Sequence, residues 1–549
     1  MQKWVKSLSA LTLAGAITVS AIVPTQAAEL KKEAEKPKNV IMLVMDGSSD
    51  NVSTISRWYK GEPLALDSIL TGAARTYSAE SAITDSAPAA TALATGNKSN
   101  SGYVGVLPSK ITMPGVKGNE ANAFKPVANV LEGAKLQGKA TGVISTSEIQ
   151  HATPAGFSAH ATSRSNYDDI AEQQVYQNID VVLGGGYNSL KDTRKDGENL
   201  IKVLEERKYD IVQTREEMLN STSDKLWGSF APSALAYDFD RETLKPEQPT
   251  LAEMTEKAID TLSKDEDGFF LMVEGSKIDW AAHANDTIGM ISDFLSFDDA
   301  VAEAIEFAEK DGNTLVIAVT DHGNSGITIG NHNTTGTYDK IDISAYINPL
   351  KEAKLTVEGA LSLLKEDRSN IEEVAGLYGL TNLTAEERAA LEATKSANEL
   401  GQVMISQLAN RANIGYTTGG HTGDDVFLYS FGPNKLTGLV DNTDIARAMA
   451  DFMDFDLETI SKQLFVNATD ALAEKGFTVT IDKSDETNPK LIAKKGNTTY
   501  TLDENKNTVL RERKLASGRV HKLTKTFNSV HFYNDQHFYI SEEVINYMK

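Results

Sequence analysis

Short apolar runs recur along the chain, and the segments between them space their apolar residues as amphipathic helices do. The first run reads NVIMLVM and ends at an Asp-Gly pair, and TLAEMTEKAIDTL and FDDAVAEAIEFAEK carry the helical spacing. The runs cover residues 39–45, 140–146, 179–186, 268–275, 314–323 and 425–432. Buried strands that alternate with helices predict an α/β fold with a mainly parallel central sheet and helices on both faces.

Two regions interrupt this rhythm. Residues from about 335 to 412 read as consecutive helices, in which Thr384 and Glu387 have the spacing of a capping box, and we interpret them as a helical insertion. From about residue 460, apolar and polar residues alternate around Asn and Gly turns, which predicts a small β-rich module that ends in a helix. The predicted organisation is therefore a main domain at 28–459 and an α+β C-terminal module at 460–549.

The N-terminal segment predicts export. Lys3 and Lys6 precede an uncharged apolar stretch, and small residues lie around Ala27. These features are typical of a secretory signal peptide, so we predict that residues 1–27 are removed and that the mature protein is secreted or held at the cell surface. An uncleaved membrane anchor is the alternative, although Thr, Ser, Pro and Gln dilute the apolar stretch. The chain has no cysteine, which excludes disulfides and a lipid anchor on cysteine.

The charge balance restricts the partners. The formal net charge is -23, and it would be about -25 without Lys3 and Lys6. Such a chain opposes binding to nucleic acid or to anionic membranes, whose affinity comes from clustered Lys and Arg. An anionic substrate would need local positive charge, which bound metal ions or a dedicated arginine could supply.

Polar side chains that can bind metals follow several predicted strands. They are, in chain order, Asp46, His151, Thr153, Glu274, Asp321 and His322. Ligand sites in open α/β sheets form at the carboxyl ends of the strands, so these residues are expected to converge. Asp279 and His283 are four residues apart in a helical segment, which suits zinc but equally fits a surface ion pair. His421 lies between glycines and acids in TTGGHTGDD.

Ser86 stands in the stretch ITDSAPAATALATG, where an acidic residue precedes it and a helix-forming run follows. Its hydroxyl fits the N-cap of a helix. It also fits a nucleophile, because a helix N-terminus offers free N–H groups to a phosphate-like anion. The two roles need not exclude each other.

Six motifs in one order carry a resemblance to a known family. They read MDG, TDSAPAATALATG, HATPAGFSAHATSR, VEGSKIDWAAH, TDHG and GGHTGDD. Together they resemble the alkaline phosphatases over roughly residues 38 to 458. The resemblance implies an exported enzyme that hydrolyses small phosphate monoesters with broad specificity, for phosphate scavenging outside the cell. It also suggests a homodimer, since the family is commonly dimeric.

The resemblance further implies two Zn²⁺ and one Mg²⁺ per subunit. Their ligands would be Asp279, His283 and His421 for the first zinc, Asp46, Asp321 and His322 for the second, and Asp46, Thr153 and Glu274 for the magnesium. Ser86 would attack phosphorus and form a phosphoserine, which water then hydrolyses. Arg164 would hold two phosphate oxygens with its planar fork.

Two positions depart from the best-known bacterial pattern, which has an aspartate near the third metal and a lysine after the zinc-binding aspartate. This chain has His151 and Trp280 there, and both are expected beside the bound substrate. A neutral imidazole attracts a dication less than a carboxylate does, so magnesium should bind more weakly. Phosphate should also bind less tightly, because the lysine charge is missing.

Three alternatives follow from the same residues. A sulfatase would need an arginine two positions after the proline of SAPAA, where Ala90 stands. A phosphodiesterase of the same superfamily usually has threonine as nucleophile. The third alternative is a surface binding protein whose catalytic site has decayed. It is suggested by residues 460–549, which weakly resemble copper-amine-oxidase N-terminal-like modules and would attach the protein to the cell surface. The resemblance does not imply a copper site.

Overall fold

A ten-stranded sheet forms the centre of the protein in a computed structural model that describes residues 38–191 and 193–549. The predicted signal peptide, residues 1–27, lies outside the described residues. In order across the sheet, the strands are Gly438–Asp441, Leu70–Arg75, Val426–Phe431, Thr314–Val319, Asn39–Met45, Phe269–Gly275, Ala140–Glu148, Val181–Gly185, Leu226–Ser229 and Asp210–Val212. Val426–Phe431 runs antiparallel to both of its neighbours, and the other neighbouring pairs are parallel. The predicted mainly parallel sheet is confirmed.

All seven residues of the central strand Asn39–Met45 are buried, and all except Asn39 are apolar, so the strand is buried on both faces. Ile41, Leu43 and Met45 belong to one hydrophobic cluster. Val40, Met42 and Val44 belong to the other. Since successive side chains of a strand point to opposite faces, the two clusters lie on opposite sides of the sheet. Helices cover both faces, as predicted.

The helices of the main domain alternate with its strands. Before the insertion they are Asp50–Lys60, Ser86–Thr95, Val130–Leu136, Ala152–Gly156, Tyr167–Tyr176, Leu200–Glu206, Arg215–Asn220, Asp238–Leu244, Leu251–Leu262, Lys277–Ala284 and Thr287–Asp311. After it come Asn442–Phe452 and Leu457–Leu464.

The interruption after residue 335 is helical, as expected. Its helices are Ser344–Lys351, Val357–Ser362, Ile371–Leu377, Ala385–Glu392 and Ala397–Arg411. Thr384 accepts from the backbone N–H of Glu387 and the Glu387 carboxylate accepts from the backbone N–H of Thr384, so the capping box is present. Short antiparallel strands, Thr328–Ile329 and Ile414–Gly415, pair where the chain leaves and re-enters the main domain.

The C-terminal region is β-rich and ends in the helix Glu542–Tyr547. Its five-stranded antiparallel sheet consists of Thr478–Asp482, Lys490–Lys495, Thr498–Asp503, Thr508–Lys514 and Val520–Thr526. A smaller sheet contains Val466–Asn467, Phe538–Ile540 and Phe532–Tyr533. This region has a hydrophobic cluster of its own. The boundary at residue 460 stays a prediction.

Aromatic side chains connect this region with the main domain. Phe465, Phe532 and Tyr539 belong to the same buried cluster as the central strand. The ring of His160 lies 4.8 Å from that of Phe465 and 5.9 Å from that of Phe532, and its Nε2 lies 3.0 Å from Glu132. His160 is buried and follows the end of the helix Ala152–Gly156.

Among residues 38–191 and 193–549, no helix combines the length and the apolar character needed to cross a bilayer.

Phe532→Ala should destabilise the main domain as well as the C-terminal region. The ring is 2% exposed and packs in the cluster that both share. Truncating a buried phenylalanine costs about 3 to 5 kcal/mol in the free energy of unfolding. Tyr338→Ala is the control, since Tyr338 is 74% exposed and its loss should change that free energy by less than about 0.5 kcal/mol. Denaturant unfolding measures both, and equal effects would contradict the shared core.

Candidate active site

Three parallel strands bring acidic residues to one edge of the sheet. Asp46 directly follows the strand Asn39–Met45. Glu274 lies in Phe269–Gly275, where it pairs with Val44, and Val44 pairs on its other side with Val319. The Asp321–His322 pair comes two residues after Val319. The strand ends are therefore in register, and the polar residues that follow them meet, as predicted.

The first cluster joins a helix to a distant loop. Asp279 and His283 share one face of the helix Lys277–Ala284, with His283 Nε2 3.4 Å from Asp279 Oδ2. His421 Nε2 lies 3.7 Å from Asp279 Oδ1 and 3.1 Å from His283 Nε2. The other ring nitrogens face backbone carbonyls, His283 Nδ1 that of Gly419 at 2.9 Å and His421 Nδ1 that of Thr84 at 2.8 Å. Three ligand atoms thus face one another, with both rings held from behind.

The second cluster is fully buried. His322 Nε2 lies 3.2 Å from Asp321 Oδ2 and 3.6 Å from Asp46 Oδ1. The backbone N–H of Gly47 donates to Asp321 Oδ1 at 3.1 Å. The rings of His322 and His421 stack at 3.6 Å between centroids, so the first and second clusters adjoin.

The third cluster shares Asp46 with the second. Thr153 Oγ1 donates to Asp46 Oδ2 at 3.5 Å, and Ser145 Oγ donates to Glu274. The structure also groups a ring nitrogen of His151 with the carboxylates of Asp46 and Glu274. The three residues that the resemblance implied for magnesium therefore lie together, with His151 beside them.

Several ligand atoms in these clusters are buried and have no hydrogen-bond partner among the described residues. They are Asp46 Oδ1, Asp321 Oδ2, Glu274 Oε1 and His151 Nδ1. Burial, followed by repulsion from Asp321, Asp279 and Glu274, raises the pKa of Asp46 well above its ordinary value. Burial raises the pKa of Glu274 to about 7. Buried carboxylates are costly unless they are paired or bind metals, so these residues fit cations.

The donor atoms suit particular cations. Histidine nitrogen with carboxylate oxygen, as in the first two clusters, is typical of zinc. Hydroxyl and carboxylate oxygens, as in Asp46, Thr153 and Glu274, are typical of magnesium. Burial, and next the positive charge of Arg164, lower the pKa of His151 to about 4, so its ring is neutral. A neutral ring can face a cation but adds no negative charge.

Ser86 begins the helix Ser86–Thr95, and its Oγ lies 3.1 Å from His322 Nε2. Asp85, with extended backbone, occupies the N-cap, so the interpretation of Ser86 as the N-cap residue is wrong by one position. The first turn of a helix leaves N–H groups without an intrahelical acceptor, which favours an anion at this point. Ser86 is 2% exposed. The hydroxyl is thus placed between a helix start and the second cluster.

Arg164, His151 and Trp280 lie on the side of the site where the third cluster is. The Arg164 guanidinium donates to the Asp85 carboxylate, and its Nη2 lies 3.3 Å from His151 Nε2. Burial favours a protonated Asp85, but Arg164, the backbone N–H of Gly102 and the two nearby histidine rings together outweigh it, so the pKa of Asp85 is lowered. The rings of His151 and Trp280 meet edge to face at 5.8 Å between centroids.

Other residues that support the site were missed by sequence reasoning. Asn324 Nδ2 donates to Asp279 Oδ1 at 2.7 Å and so orients a ligand. Lys277 lies two residues before the ligand Asp279 in the sequence, but it does not face the ligands. Its Nζ donates to the carbonyl of Leu235 at 2.9 Å and to the Glu358 carboxylate at 3.2 Å. Neither Asn324 nor Ser145 stands in a spacing that signals a role, although both flank motifs that do.

Comparison with known proteins agrees with this geometry. A family model described as alkaline phosphatase matches residues 37–455. Alkaline phosphatase 3 of Bacillus subtilis is 36% identical over 491 residues, which cover 84% of this chain and 100% of that protein. The crystal structure of Thermus thermophilus alkaline phosphatase superposes with a TM-score of 0.67 at 26% identity, covering 79% of this chain and 96% of that one.

Another similar structure contains a metal ion. It is a mutant of the TAB5 alkaline phosphatase in which a histidine is replaced by glutamate, with magnesium bound in its M3 site. It superposes with a TM-score of 0.55 at 26% identity and covers 77% of this chain and 99% of that one.

Fold and site together define a metal-dependent α/β hydrolase with a serine beside its metal-ligand clusters. The family match extends over most of the chain, and one relative is matched over its full length. The chain belongs to the alkaline phosphatase family.

Gly47→Ala should disrupt metal binding. Gly47 has a φ of +66°, and a Cβ there would lie 2.3 Å from Asp279 Oδ1 and 2.7 Å from Asp279 Cα, so the ligand would have to move. We expect zinc content measured by elemental analysis, and with it activity, to fall at least about tenfold. Gly61→Ala is the control, because Gly61 also has a positive φ, +83°, but no atom of the described residues lies within 4 Å of the added Cβ. Full zinc content in Gly47→Ala would contradict the geometry.

Proposed function

We propose that this protein hydrolyses phosphate monoesters to an alcohol and inorganic phosphate through a phosphoserine at Ser86. The observation that carries the proposal is the position of Ser86 Oγ, 3.1 Å from His322 Nε2 and therefore beside a buried set of metal ligands. Hydroxyl nucleophiles are weak unless a base or a metal ion activates them.

The residues of the chain divide the reaction between them. Ser86 Oγ gives up its proton and forms a bond to phosphorus as the bond to the ester oxygen breaks, and the ester oxygen takes up a proton and leaves as the alcohol. Arg164 holds two non-bridging phosphate oxygens through its fork, and the first turn of the helix that Ser86 begins also favours the anion. Water then attacks the phosphoserine, which releases inorganic phosphate and restores Ser86. Asp85 fixes the direction of the Arg164 guanidinium through their ion pair.

We propose two zinc ions and one magnesium ion per subunit. The first zinc would be held by Asp279, His283 and His421, the second by Asp46, Asp321 and His322, and the magnesium by Asp46, Thr153 and Glu274. When bound, such ions supply Lewis-acid chemistry, lowering the pKa of hydroxyl groups and stabilising oxygen anions. The orphaned buried oxygens of Asp46, Asp321 and Glu274 support these assignments.

The third site should bind magnesium weakly. His151 approaches Asp46 and Glu274 with a neutral ring, and it also contacts the positive Arg164. A carboxylate at this position would attract a dication more strongly. The TAB5 mutant that gained a glutamate in place of a histidine contains magnesium in its M3 site, which is consistent with this reasoning.

Substrate choice should be broad, and phosphate should leave readily. Trp280 offers no charge to the phosphate, and Lys277 is engaged with Leu235 and Glu358. The side chain of His283 is 42% exposed, so the first cluster opens to solvent and the alcohol part of a substrate need not be enclosed. We further propose that the enzyme acts outside the cell in phosphate scavenging, as a homodimer, and that residues 460–549 attach it to the cell surface.

Removal and return of the metals tests the proposal. A chromogenic phosphate monoester should be hydrolysed at alkaline pH, and thorough chelation should abolish the activity because Ser86 depends on bound metal ions for its activation. Zinc alone should restore most of the rate, and magnesium added afterwards should increase it at high concentration only. Turnover that survives chelation would refute the metal sites.

The methyl diester of the same chromogenic phosphate is the matched control substrate. The monoester should be turned over faster by orders of magnitude, as a serine nucleophile in this family suggests. A strong preference for the diester would instead assign the protein as a phosphodiesterase.

A further inference from the structure

A hairpin of the C-terminal region concentrates positive charge on an otherwise acidic protein. The strands Thr508–Lys514 and Val520–Thr526 pair antiparallel at the edge of the five-stranded sheet. Residues 508–526, here called the basic hairpin, contain six Lys or Arg and one Glu in a chain whose formal net charge is -23. The segment contains no Phe, Tyr or Trp.

Most of this charge is not neutralised within the protein. Lys522 pairs with Glu512 at 2.6 Å, and Lys525 lies 3.7 Å from Glu543. In the part of the chain that the structure describes, the other four form no ion pair: Arg511, Arg513, Lys514 and Arg519. Like charges that lack partners repel one another, so an external anion would relieve this repulsion.

Two of these arginines replace apolar residues in the strand pattern. Val509 faces Leu502 and Arg511 faces Tyr500 across the sheet, and Val509, Leu502 and Tyr500 are buried in the cluster of this region. Arg511 and Arg513 continue the same face, with Arg511 beside Tyr500 at the border of the cluster and Arg513 beside Thr498. The Nε of Arg511 is buried and lacks a hydrogen-bond partner among the described residues.

Protection of a sheet edge does not explain the hairpin. Lysines on an outermost strand prevent edge-to-edge aggregation, and Lys522 and Lys525 fit that role. Arg511 and Arg513, however, lie on the inner strand of the pair. Val520 and Leu523 on the outer strand are 46% and 47% exposed. Exposed apolar side chains on an edge strand favour aggregation, so this strand is not built to prevent it.

We propose that the basic hairpin binds a linear phosphodiester polymer without bases, of the poly(polyol phosphate) type. Arginine forks match phosphate oxygens bidentately, and a row of them suits a repeating phosphate backbone. Proteins that bind single-stranded nucleic acids stack bases chiefly on large aromatic side chains, and this hairpin has no Phe, Tyr or Trp. The inference rests on the proposal that residues 460–549 serve attachment, and it gives that attachment a ligand and a surface.

Arg511→Gln/Arg513→Gln tests the surface. Fluorescence anisotropy with labelled poly(glycerol phosphate) should show at least a tenfold loss of affinity at low salt. The slope of log affinity against log salt should decrease by about 0.7 for each phosphate that the variant no longer neutralises, as counterion release predicts. Hydrolysis of a small chromogenic monoester should not change, because these residues lie outside the three metal-ligand clusters; the phosphatase proposal is thus judged separately.

Two further variants complete the test. Lys514→Gln/Arg519→Gln removes charge at the hairpin turn and should also weaken binding. Arg215→Gln/Arg388→Gln removes the same charge from exposed side chains elsewhere and should leave affinity within about twofold. The proposal is overturned if the wild type does not bind the polymer, if both hairpin variants bind like the wild type, or if the control pair loses as much affinity.

Binding measurements on the wild type and the hairpin variants also distinguish two other ligands. Tighter binding of a thymidine oligonucleotide with the same number of phosphates would overturn the base-free polymer. Self-association in analytical ultracentrifugation that the hairpin variants abolish would assign the surface to a second copy of the chain, and would equally overturn the proposal.

Discussion

The structure depends on one electrostatic constraint: several carboxylates are buried together at a single edge of the sheet. Asp46, Glu274 and Asp321 are at most 1% exposed, and the pKa of Asp46 is raised by burial and by its acidic neighbours. Either protonation or bound cations can relieve such repulsion, and the histidine nitrogens and the threonine hydroxyl beside these carboxylates favour cations. The histidines that complete the clusters add nitrogen ligands for these cations, and the loops hold the histidine rings in place.

The two-sided core explains how the constraint is met. Strands buried on both faces fix the positions of Asp46 and Glu274, because their register with neighbouring strands leaves no freedom to shift. The loop residues add the rest: Asn324 orients Asp279, and the carbonyls of Gly419 and Thr84 hold the histidine rings. The reacting serine then needs only to begin a helix beside these clusters, which Ser86 does.

Much of this was predictable from the sequence, and the omissions have physical causes. Apolar runs with acidic ends located the strands and their ligands, since a strand buried on both faces must be apolar throughout. The i, i+4 spacing of Asp279 and His283 predicted one shared helix face, whereas His421 was joined to them only through the family resemblance, and the fold places it beside them. Ser145 and Asn324 could not be predicted, because their roles depend on strands and loops that meet only in three dimensions. The one-residue error at Ser86 arose because Asp85 and Ser86 suit an N-cap equally well.

The most direct test is to find where phosphate becomes attached during turnover. Rapid acid quenching of the zinc-loaded enzyme with a phosphate monoester, followed by peptide mapping with mass spectrometry, should place one phosphoryl group on Ser86. Ser86→Ala should yield no phosphopeptide while retaining its zinc, since Ser86 is not among the ligands. A phosphoryl group on another residue, or wild-type turnover by Ser86→Ala, would contradict the account.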